Sequence, residues 1–228
     1  MKILVYQMGK VGSLSISRQL TTHTPVYKSH VHSHGIAESI LKDYAETDEE
    51  VYIITGIRDL LRKTISAFFQ NCDKAGKYYY MGEQEHLKNK SVDEFVSFFE
   101  SKYVFNLKNT VLPWFTRFNN IVDLDLFDHV FPHQKGHLTL HKGNINLFCY
   151  RFEDISNIDM AIRRFLKIPD FELPHINMSS QKWYASHYKE FLEKFKPTEE
   201  ILDLVYHCTS MQYFYNDIER QAFIEKWS

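Results

Sequence analysis

Cysteine is scarce: the 228-residue chain holds three, Cys72, Cys149 and Cys208. An odd number without metal-ligand spacing excludes a disulfide framework and a thiolate metal centre, and predicts free thiols in a reducing compartment. Proline and glycine are sparse too, at six and eight residues. They never gather with serine into a linker, so one domain over residues 1–228 is expected. Neither sign of charge dominates: 27 basic and 29 acidic side chains leave a net charge of −2. That excludes a general affinity for nucleic acid and requires any phosphate site to be a local arrangement. No run approaches the ~20 apolar residues of a membrane-spanning helix. The apolar stretch in MKILVYQMGK is short and leads into a glycine-containing loop. It is expected to be a strand rather than a secretion signal, in a cytoplasmic protein. What the chain does have is aromatic bulk, 18 Phe and 14 Tyr, which reads as core filling. A chain this long can bury about 70% of the surface it exposes when unfolded.

The apolar pattern predicts strands alternating with helices. Ile3–Tyr6 and Val51–Ile57 are continuous apolar runs suited to strands covered on both faces, and Pro25–Val31 and Asn146–Tyr150 read the same way. Between them, 13–20 (with Leu14, Ile16 and Leu20 as its apolar positions), 36–44 and 61–70 have helical spacing. Ser91-Val92-Asp93-Glu94 is a capping box opening a helix that carries Phe95, Phe98 and Phe99, and Ser156–Asp159 has a similar pattern. After Pro197, Thr198 starts a last long helix with Ile201, Val205, Cys208 and Gln212 at four- and three-residue steps. The order predicts an α/β fold with a mostly parallel central sheet flanked by helices, and a ligand site at the carboxyl ends of the strands.

One loop has the makings of that site. Gly9-Lys10-Val11-Gly12-Ser13-Leu14-Ser15 joins the first strand to the first helix. Two glycines allow a tight turn and close approach of a ligand, and the helix start favours an anion. Lys10 adds a full charge, and Ser13 and Ser15 add hydroxyl donors. In a Walker A loop the lysine follows the second glycine; here it precedes it. After the strongest strand comes Arg58, with Ser66 eight residues on. Arg58 can bind a phosphate bidentately and Ser66 can donate to it. The run His30-Val31-His32-Ser33-His34 follows the second strand and offers candidate bases, a metal site or a solvated loop end. If the strand continued, alternation would put all three histidines on one face, so spacing does not choose among them. His129, His133, His137 and His141 fall in a loop-like stretch.

The first loop together with R-x(7)-S at Arg58 and Ser66 resembles the pattern with which sulfotransferases bind PAPS (3′-phosphoadenosine 5′-phosphosulfate). Tyr150-Arg151-Phe152-Glu153-Asp154-Ile155 is similar to that family's Y-x-E-D-[LMI], with Arg151 as an extra residue. The closest resemblance is to a bacterial group of sulfotransferase-like capsular polysaccharide synthesis proteins. It is carried by YQMGKVGS, IRDLLRKTISAFFQN, Pro113-Trp114-Phe115, FEDI and Asn177-Met178-Ser179-Ser180-Gln181-Lys182-Trp183-Tyr184. Where that group suggests acidic residues after Phe115, this chain has Thr116-Arg117-Phe118-Asn119. The resemblance implies a P-loop NTPase-like sulfotransferase fold, PAPS as donor and no required metal. The acceptor would be a hydroxyl of a saccharide or small metabolite. It also implies that the first loop holds the 5′-phosphosulfate and that Arg58 and Ser66, with Lys182, hold the 3′-phosphate. Lys10 would stabilise the leaving phosphate oxygen, and a base would stand just after the second strand, taken as His32 and then His30. Three other readings stay open. They are a nucleotide-dependent kinase, a glycosyltransferase using Asp123-Leu124-Asp125 as a D-x-D metal motif, and a non-catalytic nucleotide-binding module. The oligomeric state is not legible.

Overall fold

The computed structural model describes residues 1–23, 27–76, 80–173 and 181–227. The chain divides into two compact units, Met1–Arg58 with Trp114–Ile176, and Asp59–Pro113 with Asn177–Ser228.

The first unit is an α/β layer structure. Its strands are β1 (Lys2–Tyr6), β2 (Tyr27–Val31), β3 (Val51–Ile57), β4 (His137–Lys142) and β5 (Ile145–Arg151), in the order β2-β1-β3-β5-β4. The first three and β5 run parallel, and β4 is antiparallel to β5. All seven residues of β3 are buried, as a β-branched run covered on both faces requires. The second strand starts at Tyr27; Pro25, where the sequence placed its start, lies outside the described residues.

Four helices flank this sheet: α1 (Ser13–His23), α2 (His34–Ala45), α6 (Trp114–Val122) and α7 (Asp159–Leu166). On one face Ile3, Val5, Ile54, Phe148 and Tyr150 pack with Ile16 and Leu20 of α1 and Ile162 and Leu166 of α7. On the other, the Tyr6 ring lies 5.2 and 5.0 Å from Trp114 and Phe118 of α6, which packs on α2. Within α1, Ile16 and Leu20 are buried as expected, but Leu14 is exposed. Two helical positions separate Leu14 from Ile16, about 200° around the axis.

Three expectations need correction. The stretch holding His137 and His141 is the edge strand β4, joined to β5 by a tight turn with Gly143 at φ 59°. Its polar residues hid the strand. Ser156 does not cap α7. It lies in a 3-10 turn (Phe152–Asn157), and α7 opens after Ile158 without a side-chain cap. The single C-terminal helix is three: α9 (Glu199–Tyr206), α10 (Thr209–Phe214) and α11 (Asp217–Glu225). Cys208 is extended and Asn216 forms a capping box with Glu219. The chain turns back at each, and Tyr206 and Tyr215 meet Phe223.

The second unit also contains α3 (Leu60–Asn71), α4 (Gln84–Leu87), α5 (Val92–Asn106) and α8 (Ala185–Lys194). Ser91 and Glu94 make the expected capping box at the start of α5. Much of its core is aromatic: Phe69 stacks on Phe95 at 5.4 Å, and Phe99 meets Phe191 edge-on at 5.4 Å. Buried Asp59 caps α3 by accepting from Leu61 N and Arg62 N. It also accepts from the Tyr206 hydroxyl, which in turn receives the Trp227 indole N–H. Burial, and then the charge of the Asp59 carboxylate, hold the Tyr206 hydroxyl un-ionised.

Candidate anion site at the carboxyl ends of the strands

In the order β2-β1-β3, the chain leaves β1 toward β2, while β3 lies on the other side. The segments after β1 and β3 therefore flank a topological switch point, where open parallel sheets place ligands. After β1 comes the Gly9–Ser15 loop. Lys10 has φ 74° and Gly12 φ 85°, two left-handed residues on either side of Val11, whose side chain is fully buried. Ser15 N and Ile16 N donate to the Gly12 carbonyl at 3.1 and 3.3 Å, which starts α1. No acidic residue stands in the first turn of α1, so the positive end of its dipole is left for an anion. Ser13 is buried and opens that helix.

Arg58 follows β3. Its Nη1 donates to the Lys10 carbonyl at 3.4 Å, and its guanidinium lies 4.6 Å from the Phe152 ring centre. Two cationic residues and a helix start thus come from two points of the sequence, the loop after β1 and the residue after β3, to the carboxyl ends of the strands. A Cβ on Gly12 would lie 2.4 Å from Ile155 Cδ1, so the turn after β5 closes tightly on the loop.

The loop rests on a buried polar support that sequence reading missed. The Tyr150 hydroxyl lies 2.5 Å from the Val11 carbonyl and 3.1 Å from Gln7 Oε1. Tyr150 is fully buried, and burial holds its hydroxyl un-ionised. Gln7 Nε2 is buried without a hydrogen-bond partner among the described residues. The signal was present in one feature: Gly56 in the central strand. A Cβ there would lie 2.7 Å from the Tyr150 ring, so glycine makes room for the tyrosine.

The three histidines are separated because β2 ends at Val31. His30 stays in the strand, its ring 4.7 Å from that of His32. His32 is exposed, and its Nδ1 lies 2.6 Å from the Gln7 carbonyl. A carbonyl only accepts, so Nδ1 carries the proton and the neutral ring has its lone pair at Nε2. His34 opens α2, hydrogen-bonded through Nδ1 to the Tyr6 hydroxyl and 5.2 Å from the Trp114 ring. Its Nε2 is buried without a hydrogen-bond partner among the described residues. Burial, and then the charge of Arg117, lower the His34 pKa from 6.5. The unfolded chain therefore takes up this proton more readily than the folded one. The stability that His34 contributes is complete above pH 6.5 and is lost as pH falls below it. Urea unfolding between pH 7.5 and 5 should show this loss, and His34→Gln should flatten that part of the curve. An identical pH profile in the variant would remove His34 as its source.

Other candidates have structural partners. Arg151 is buried, donating Nε to Asp154 Oδ2 at 2.6 Å and Nη2 to the His133 carbonyl at 2.8 Å. Asp123 pairs with Lys142 at 2.8 Å, and Asp125 accepts from Asn119 Nδ2 and Phe127 N. Among the described residues no group of three or more His, Cys, Asp or Glu is placed to hold a metal ion, and no helix is long and apolar enough to cross a membrane. A groove of about 460 Å³, lined by Leu41, Tyr44, Val51, Ile121 and Ile145, opens at the amino ends of β3 and β5, away from the loop.

Ser66 and Lys182 belong to the second unit. Ser66 is buried on α3. Lys182 is exposed just before α8, and beside it the Trp183 indole donates to Asp73 Oδ2 at 3.2 Å. Asn177 to Ser180, the rest of that motif, lie outside the described residues.

No curated protein and no solved structure matches the chain. The profile of the NKWYS family, described as "Putative capsular polysaccharide synthesis protein", matches residues 87–216. That span includes Tyr150, Arg151, Lys182 and Trp183 and excludes the Gly9–Ser15 loop, Arg58 and Ser66. With more than half of its length matched, the chain belongs to this family of capsular polysaccharide synthesis proteins.

Proposed function

We propose that the protein is a PAPS-dependent sulfotransferase acting on a hydroxyl of a saccharide or small metabolite. The observation that carries this reading is Arg58 donating to the carbonyl of Lys10 beside the start of α1. That arrangement concentrates positive charge at one switch point in a chain whose net charge is −2. Membership of a capsular polysaccharide synthesis family favours a saccharide acceptor. PAPS supplies an activated sulfuryl group. For the protein's part, the Gly9–Ser15 loop and α1 would hold the 5′ end. Arg58 would serve the 3′-phosphate, the role that the sequence resemblance also gives Ser66 and Lys182, and Lys10 would meet charge developing on the leaving oxygen. His32, with Nδ1–H fixed on the Gln7 carbonyl, would take the acceptor proton at Nε2. The D-x-D glycosyltransferase reading is weaker, since Asp123 and Asp125 are engaged by Lys142 and Asn119.

Thermal shift separates the readings. Adenosine 3′,5′-bisphosphate at about 100 times its Kd should stabilise by about 2.7 kcal/mol without metal, raising Tm by about 5–10 °C. ATP·Mg²⁺ and UDP-sugar·Mn²⁺ should do less. Stabilisation by ATP·Mg²⁺ alone would sink the proposal. Arg58→Ala should weaken bisphosphate binding by about 10–100-fold, as expected for lost charge-assisted hydrogen bonds. Unchanged affinity would remove Arg58 from the site.

A further inference from the structure

Gln7 follows the last residue of β1 and is fully buried between Tyr6 and Met8, which are buried themselves. Its backbone is engaged with the chain around β2. The N–H donates to the Val31 carbonyl at 3.3 Å, and the carbonyl accepts from His32 Nδ1 at 2.6 Å. An apolar side chain would fill this place without the cost of burying an amide, so the amide points to a use. The Tyr150 hydroxyl beside it is held un-ionised by burial and carries one proton. Two groups compete for that proton, the Val11 carbonyl at 2.5 Å and Gln7 Oε1 at 3.1 Å, and both only accept. The shorter contact takes it, which leaves Gln7 Oε1 facing an oxygen. Meanwhile Gln7 Nε2, on the same amide, is a buried donor without a hydrogen-bond partner among the described residues.

Half a turn of the amide about its last bond answers both mismatches at the hydroxyl. Nε2 then donates to the Tyr150 oxygen, and Oε1 takes the place of the unpartnered atom. A buried carbonyl oxygen without a partner is more common than a buried N–H without one. A bond donated to the Tyr150 oxygen also strengthens the bond that Tyr150 donates onward. We propose that Gln7 is a positioning residue for the Gly9–Ser15 loop: its amide donates to the Tyr150 oxygen, commits the Tyr150 proton to the Val11 carbonyl and so fixes the loop's shape. This deepens the proposed function and rests on it only for what the loop binds.

The geometry is read in the parent protein by NMR with isotope-labelled glutamine. The buried Tyr150 hydroxyl proton should exchange slowly and give a cross-relaxation peak to the Gln7 side-chain N–H protons. With Oε1 against the hydroxyl those protons are turned away and the peak is absent. The consequence is read in Gln7→Met, an apolar chain of similar length that should keep the urea midpoint of the parent or raise it. Hydrogen exchange over residues 9–16 should quicken in this variant without ligand. Adenosine 3′,5′-bisphosphate, titrated by calorimetry, should bind it about 3–10-fold more weakly, the size of one neutral hydrogen bond. In the Tyr150→Phe background the same substitution should change affinity by less than about twofold, because Gln7 acts only through that hydroxyl. A glutamine that merely fills space would weaken binding equally in both backgrounds. That result overturns the proposal, as does absence of the cross-peak. Bisphosphate binding that is unchanged in Gln7→Met defeats this role and leaves the proposed function standing. The cross-peak and quickened exchange in a protein that does not bind the bisphosphate do the reverse.

Discussion

Gly56→Ala should destabilise the protein by about 3 kcal/mol, the upper part of the range for overpacking a core. The added Cβ would lie 2.7 and 2.8 Å from Cζ and Cε1 of Tyr150. These are atoms of a rigid ring with no exposed surface, so the ring cannot swing into solvent. It can only shift within the layer between β3 and α1, and the shift pulls its hydroxyl from the Val11 carbonyl, now 2.5 Å away. The substitution should therefore lower the midpoint of urea unfolding and, on the proposed function, also weaken nucleotide binding at a loop it does not touch. Tyr150→Phe isolates the second effect. It keeps the ring, leaves the Val11 carbonyl buried without its donor, and should cost about 1–2 kcal/mol. Tyr150→Leu in the Gly56→Ala background should recover part of the stability and none of the binding, a non-additive pair as expected for touching residues. Gly56→Ala within about 0.5 kcal/mol of the parent, the usual size of a neutral change, would mean that the ring does not fill that space.

What the sequence revealed and what it hid divide along a physical line. Val51–Ile57 was legible because a strand buried on both faces must be apolar throughout, and no helix of that length would be so β-branched. The Gly9–Ser15 loop was legible because glycine, lysine and serine at a strand-to-helix junction have few other uses. His137–Lys142 was not, because an edge strand exposes one side to water and needs no apolar alternation to pair with β5. The histidine run shows the same limit in the site. Which of His30, His32 and His34 is accessible depends on where β2 stops, and a hydrogen bond to a carbonyl 25 residues earlier orients His32. Tyr150 is the plainest case. As a residue it reads as core, and only its contact with Val11, 139 positions away, connects it to the loop.

On the proposed function, Lys10→Gly should relieve backbone strain in the fold and remove at least about 99% of PAPS turnover, in line with loss of one charge-stabilising group. The two halves of this expectation have separate origins. Lys10 holds φ 74°, a conformation that costs a residue with a Cβ about 1–2 kcal/mol. Glycine removes that strain but adds freedom to the unfolded chain, a cost of about 0.4–1 kcal/mol. On the backbone terms alone the net change is close to zero or slightly favourable, and the urea-unfolding midpoint of each variant separates loss of activity from unfolding. A lysine held where the backbone favours glycine points to a use for its side chain. Lys10→Ala keeps the strain and loses the charge, and should be equally inactive; Lys10→Arg keeps the charge and should retain measurable turnover. The assay is conversion of PAPS to adenosine 3′,5′-bisphosphate with a pool of oligosaccharide acceptors, beside bisphosphate affinity for each variant. If Lys10 acts on the leaving oxygen, turnover collapses while affinity changes by less than the about tenfold expected of a purely binding contact. If turnover and affinity fall together, Lys10 is a phosphate clamp. If Lys10→Gly turns over PAPS like the parent, the charge that matters lies elsewhere in the loop's surroundings, with Arg58, 3.4 Å from the Lys10 carbonyl, the next group to test.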